Sequence, residues 1–219
     1  MIFCGLEASK TMHMRLSLLA IATLAVSSVA FGQVNIATPD AFQINYASNL
    51  NIADSVVNIT NAGTVNGADP AGEICANVYA FDPAEELISC CTCLVTPNGL
   101  NSLSDDTDLI SNTLTPGVPT SIVIKLVATL PVGGVCNAGN GGIAFLPTQL
   151  APGLRAWGTT LHATPSAGYQ VTENVFQDAS LSVSEDFKLT SYCNFIQADG
   201  SGFGICKSCA VGGLGASKK

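Results

Sequence analysis

Three cysteines crowd into a four-residue run, Cys90-Cys91-Thr92-Cys93, and no other feature restricts the fold as much. The run reads as part of a strand, in which side chains alternate, so Cys91 and Cys93 share one face and Cys90 takes the other. Cys91 and Cys93 then stand about 6.6–6.8 Å apart along the strand, at the outer limit of disulfide reach and with parallel Cβ vectors. A vicinal Cys90–Cys91 bridge needs a distorted peptide. All three must therefore bond elsewhere, to Cys75, Cys136, Cys193, Cys206 or Cys209. That leaves 5 × 4 × 3, or 60, of the 105 pairings open to eight cysteines. Six remain if Cys206 and Cys209 pair with each other.

Disulfides presuppose an oxidising compartment, and the N-terminus supplies a route to one. The natural start fits Met12 or Met14 better than Met1. Arg15 gives a positive n-region, Leu16 to Ala30 is an apolar and small-residue run, and cleavage after Ala30 or Gly32 satisfies the small-x-small rule. The run falls short of the roughly 20 apolar residues of a membrane span. No cysteine sits at the cleavage point, which argues against a lipid anchor. Removal of residues 1–32 takes Cys4, Glu7, Lys10 and Arg15 with it. Eight cysteines, 15 acidic and six basic residues remain, a net charge of about −9 (6 minus 15). Such a chain repels phosphate backbones, and nucleic acid is excluded as a partner. Charged residues make up only 11% of the chain, so Asn, Thr, Ser and Gly carry the surface polarity, as in extracellular β-proteins.

Short β-rich runs recur between turn signals: Ser55 to Thr60, Ile74 to Ala80, Leu87 to Val95, Ser121 to Thr129, Ala156 to Ala163 and Tyr169 to Phe176. Pro97-Asn98-Gly99 reads as a hairpin turn after the third of these. Residues 132–154 are rich in Gly, Asn and Pro and contain Cys136, which points to a long loop tied down by a disulfide. The period then changes. Leu189, Tyr192, Cys193 and Ile196 form a helical stripe, Ser182 with Glu185 reads as a capping box, and Gly200 as a stop. A helix from about Val183 to Asp199 follows, with Cys193 facing the core. The sequence thus divides into a signal peptide (1–32), a β-sandwich domain (33–181), a helix and cysteine-rich segment packed on it (182–209) and a flexible tail (210–219). The expected fold is mainly β, an antiparallel β-sandwich of immunoglobulin-like or jelly-roll-like type, disulfide-stapled, with one C-terminal helix.

Candidate chemistry is sparse. Cys91, Cys93, Cys206 and Cys209 have spacings that suit a tetrahedral zinc site, but structural disulfides are the ordinary reading. Cys206-x-x-Cys209 follows a helix instead of preceding one, contrary to a thioredoxin-like site. His162 is the single histidine after the leader, on an alternating strand, so any histidine-dependent triad must use it. Neither G-x-S-x-G nor H-E-x-x-H occurs. Glu85-Glu86 and Asp105-Asp106-x-Asp108 supply carboxylates; the Asp105, Asp106, Asp108 triplet is a calcium candidate, although its ordinary reading is a solvated loop. Trp157 and Tyr169 are the candidate ligand-binding aromatics, with a core position the commoner fate of such a tryptophan. Val34, Ile36, Phe42, Ile44 and Tyr46 alternate along residues 33–50, fitting a first strand that closes its own sheet as the ordinary reading, or a donor strand for a neighbouring subunit. Asn58-Ile-Thr60 matches a glycosylation sequon inside a strand.

The run Val78-Tyr-Ala-Phe-Asp-Pro-Ala-Glu-Glu-Leu-Ile-Ser-Cys-Cys-Thr-Cys-Leu-Val-Thr-Pro-Asn-Gly99, with Gly202-Phe-Gly-Ile-Cys-Lys-Ser-Cys209, resembles a family of secreted, cysteine-rich bacterial proteins without known activity. The resemblance implies export and a bacterial origin, and neither a site nor a fold. The function expected from all of this is non-enzymatic: a structural or adhesive protein of the cell surface or extracellular matrix, such as a filament subunit, needing no cofactor. Its expected partners are further copies of itself or surface polysaccharide. A carbohydrate-binding module is the alternative, and a secreted hydrolase built on His162 stands third.

Overall fold

The computed structural model describes residues 34–63, 71–166, 168–207 and 209–211. The expected signal peptide and the tail beyond Val211 lie outside them. Strands form at β1 (Phe42–Ser48), β2 (Val56–Asn61), β3 (Ile74–Phe81), β4 (Leu87–Val95), β5 (Leu100–Ser104), β6 (Ser121–Thr129), β7 (Leu154–Ala163), β8 (Tyr169–Val175), β9 (Gln177–Asp178) and β10 (Ala210–Val211), and one α-helix, α1, spans Val183–Asp199. All strand pairs are antiparallel. They make two five-stranded sheets, ordered β4-β3-β6-β1-β9 and β10-β5-β2-β7-β8. The mainly-β, disulfide-stapled sandwich with a C-terminal helix is the architecture found.

The main core lies between the sheets. Val57, Ile59, Leu103, Leu154 and Ala156 from one meet Ile74, Ala76, Val78, Ile122, Ile124 and Leu126 from the other. β3 is buried along nearly its whole length, because its sheet is covered on both faces. A second apolar cluster fills the far side: Phe42, Tyr79, Leu87, Cys90 and Val127 of the sheet pack under Leu189, Cys193 and Ile196 of α1 and Phe145 of the long loop. The helix is punctuated as its residues require. Ser182 Oγ accepts from Glu185 N–H at the N-cap, and Gly200 closes the C-terminus at φ +68°.

Two local features reset the geometry. Ala80 pairs Ser89 but Phe81 pairs Leu87, so Ile88 is an extra residue in β4. This bulge changes the face parity. Leu87 and Cys90, three apart, both point under the helix, and Ile88 joins the inter-sheet core. The Pro97-Asn98-Gly99 turn makes an arch and no hairpin: β4 pairs β3, whereas β5 pairs β2 and β10 in the other sheet. Asn61 at the end of β2 causes this. Its side chain donates to the Val95 carbonyl and its own carbonyl accepts from Asn98 N–H, drawing the turn across the sandwich.

β1 lies inside its own sheet, paired with β6 on one side and β9 on the other, as the first-strand reading of the N-terminal alternation expects. Ala210 and Val211 pair with Ser102 and Asn101 of β5, so the expected flexible tail cannot begin at residue 210.

Candidate functional site

The cysteine cluster organises the C-terminal third. Cys90 bonds Cys193 of α1, Cys91 bonds Cys206, Cys93 bonds Cys209, and Cys75 bonds Cys136 of the long loop, with Cα separations of 5.4–5.9 Å. Cys206 and Cys209 therefore belong to separate bridges. All four sulfurs of the zinc and redox alternatives are consumed as disulfides. The backbone reinforces the covalent pattern. Cys90 N–H donates to Gly204 O, and Cys206 N–H donates to Cys90 O, so residues 203–206 cover the free edge of β4. β10 then covers β5. Helix and strap are held to one strand by three adjacent bridges.

The carboxylates of residues 105–108 form a single π-helical turn, Asp105–Leu109, capped by Ser104, whose Oγ accepts from Thr107 N–H. Asp108 accepts from Ser104 N–H, and Asp54 accepts from Ser104 Oγ and Asp106 N–H. Asp106 is exposed, while Asp105 is buried with Oδ1 unpartnered. Burial, then the charges of Asp54 and Asp108, pushes the Asp105 carboxyl up to about 8. Among the described residues no three His, Cys, Asp or Glu side chains are arranged to hold a metal ion. Of the three calcium candidates, Asp108 accepts from the turn's own backbone, Asp106 faces solvent and Asp105 is buried. Glu85 and Glu86 lie exposed in the β3–β4 turn.

A second acid is buried beneath α1. Asp186 exposes no surface, and neither oxygen makes a well-formed hydrogen bond. The Phe145 backbone offsets part of the burial cost, but burial dominates and pushes the carboxyl up to about 7. Nearby Tyr79 donates its hydroxyl to Ala138 O at 2.7 Å. Burial, followed by the Asp186 charge, raises its phenol well above its ordinary value.

His162 is exposed on β7, and its ring Nε2 meets Thr172 Oγ1 at 2.9 Å. Among the described residues no carboxylate joins them by a hydrogen bond or an ion pair. Trp157 is half-buried and belongs to neither core cluster, against the expectation of a core tryptophan. Trp157 pairs Val175, and Tyr169 pairs Ala163 at the other end of the same ladder. Six residues of strand, roughly 20 Å, separate the two aromatics, too far for one shared platform. A pocket of about 280 Å³ adjoins the Cys75–Cys136 bridge, lined by Thr129, Val132, Asn137, Phe145 and Gln149 among others.

Two surfaces escape a reading by single motifs. α1 carries aromatics on its solvent side as well as its core side: Phe187, Tyr192 and Phe195 are each more than half exposed, and Phe203 follows them. Tyr192, which the sequence stripe places with Leu189, Cys193 and Ile196, turns to solvent instead, because the buried side of the helix runs through Asp186 and Thr190 beside those three; Phe187 and Phe195 are apolar residues lying off that stripe. All seven residues of the edge strand β8 are exposed. No helix among the described residues is long and apolar enough to cross a membrane. No protein-family model, no curated protein and no solved structure matches the chain.

Proposed function

We propose that this is an exported bacterial protein with a non-enzymatic role, structural or adhesive, at the cell surface or in the extracellular matrix. The observation that carries the proposal is an aromatic face on a covalently locked support. Phe187, Tyr192 and Phe195 stand exposed on a helix bonded to the sheet through Cys90–Cys193. Exposed aromatics clustered on a rigid element favour contact with another surface over solvent. The four bridges and the covered β4 and β5 edges support durability outside the cell. Trp157 and Tyr169 stand at opposite ends of their ladder, which favours the structural or adhesive reading over a carbohydrate-binding module.

The test is sedimentation of the oxidised protein with intact cells and with insoluble envelope polysaccharide, for the wild type and a Phe187→Ser, Phe195→Ser double variant. Both side chains point to water, so the variant keeps its fold. The expected result is wild-type binding that the variant loses. Absence of wild-type binding to either material overturns the proposal. So does turnover of an ester or glycoside substrate that His162→Ala abolishes, which would establish a hydrolase.

A further inference from the structure

Among the described residues the long edge strands β4 and β8 are treated differently. The β4 edge is occupied: Ile88 O accepts from Leu114 N–H, Cys90 bonds Gly204 and Cys206, and Leu94 O accepts from the Asn101 side chain. β5 is covered by β10, and β1 in part by β9. β7 runs on past its partner β2, whose ladder with it ends at Gly158. There the exposed carbonyls are capped, Thr159 O by Ser55 Oγ and Leu161 O by Asn49 Nδ2. Among the described residues the outer side of β8 has no such treatment.

The ladder shows which groups face outward. Phe176 N–H donates to Ala156 O, so residues 156 and 176 form a hydrogen-bonded pair. In an antiparallel ladder such pairs alternate. Gln170, Thr172 and Asn174 therefore bond β7, and the N–H and C=O groups of Tyr169, Val171, Glu173 and Val175 point away from it. The Val175 carbonyl, which accepts from the Gln177 side chain, is the one outward group with a hydrogen bond among the described residues. Tyr169, Val171 and Val175 are 48%, 49% and 64% exposed. The strand contains no proline, no lysine or arginine and one acid, so it lacks the usual guards against edge pairing.

We infer that β8 is an interface for a second copy of this chain, joined two-fold through antiparallel β8–β8 pairing centred on Thr172. This register sets Tyr169 against Val175, Val171 against Glu173 and Thr172 against Thr172, with Gln170 against Asn174 on the opposite face. Every outward N–H then meets an outward C=O, because odd residues pair with odd residues. Aromatic with β-branched and Thr with Thr are favourable cross-strand pairs. The single charge decides among registers. Centring on Glu173 would set like charges directly opposite, which is unfavourable, whereas centring on Thr172 sets each Glu173 beside an apolar Val171. A register centred on Val171 leaves Val175 unpaired. This inference names the self-association partner and rests on strand geometry alone, not on the adhesive role of α1.

Val171→Pro is the discriminating variant. Its N–H is unused within the chain, and proline is tolerated on such an outward edge position, so folding persists while two intermolecular hydrogen bonds are lost. Sedimentation velocity across a concentration series should show a wild-type dimer whose dissociation constant rises roughly 30-fold in this variant. Val171→Glu places like charges opposite Glu173 and should weaken the dimer roughly tenfold. Val171→Lys, facing Glu173, should not weaken it. Hydrogen exchange reads the register directly. The Tyr169, Val171, Glu173 and Val175 amides should gain protection with concentration, while Thr172 and Asn174 stay protected throughout. A protein that is monomeric at every concentration overturns the inference, as does a dimer indifferent to all three variants. Protection of those four amides by a foreign extended peptide in place of a second copy would assign the edge to another partner and also overturn it. The Phe187→Ser, Phe195→Ser variant should dimerise normally, so failure of the adhesive role and failure of this interface are separable.

Discussion

Replacing Asp105 by asparagine should remove one of the two buried acids that make the protein lose stability as pH rises through neutrality. Asp105 is 1% exposed, and its carboxyl lies at about 8 in the folded protein against 3.8 for the free group. The folded state therefore holds a proton that the unfolded chain releases. Unfolding free energy then falls with pH, because the unfolded state binds fewer protons. The stabilisation is complete below the unfolded value, declines from about pH 4, and is gone above about pH 8. At about 1.4 kcal/mol per pH decade over about four decades, the loss is roughly 6 kcal/mol. That is a large share of the 5–15 kcal/mol typical of a domain. Asparagine keeps the shape and removes the titration, at roughly 1–3 kcal/mol for desolvating its amide. Wild type should be the more stable near about pH 4.5 and Asp105→Asn the more stable near about pH 8.5, so the two curves cross. Urea unfolding with disulfides intact, at constant ionic strength, measures both. Asp186 titrates in both proteins and cancels in the difference. A difference between the two proteins that does not vary with pH would refute the reasoning.

Two further outcomes concern what holds α1 in place. Replacing Cys90 and Cys193 together by serine should cost roughly 2–5 kcal/mol and release α1 first, read as faster amide exchange over residues 183–199 than in β3; equal loss in both elements would show that the bridge does not localise stability. Gly139→Ala should destabilise by more than about 2 kcal/mol, since an added Cβ would lie 2.9 Å from the Asn194 backbone and 2.6 Å from Gln197 Oε1. Gly117→Ala, with open space around it, is the control, and equal melting temperatures for the two would contradict the close approach of loop and helix.

What the sequence reveals depends on how local the determining interactions are. β6 and α1 are legible because one continuous signal sets each: β-branched alternation over Ser121–Thr129, and a stripe bounded by Ser182 and Gly200. The faces of Cys90, Cys91 and Cys93 follow from alternation alone, but their partners do not, because the choice rests on chain that returns more than 100 residues later. The turn at Pro97-Asn98-Gly99 has hairpin chemistry and still forms an arch, because Asn61 holds it from a distant strand. Asp105 resembles its exposed neighbour Asp106 in sequence and differs from it only through burial between Ser55 and the turn.

The same dependence on distant chain explains why the C-terminal segment needs three bridges. α1 has apolar residues on both sides, so hydrophobic burial alone does not select which side faces the sheet: turning Phe187 and Phe195 inward would bury as much apolar surface as Leu189 and Ile196 do. The Cys90–Cys193 bond removes that alternative, since it fixes one face of the helix against β4. Ser182 and Gly200 set its ends, and the Lys125–Glu185 ion pair sets its first turn over the sheet. Past the helix, Phe203 and Ile205 of the strap stay exposed instead of anchoring it, and the strap is held by Cys206 and Cys209 to the same strand. The dense cysteine run in β4 is therefore what keeps Phe187, Tyr192 and Phe195 facing outward, and it couples the stability of the C-terminal third to the surface that third presents.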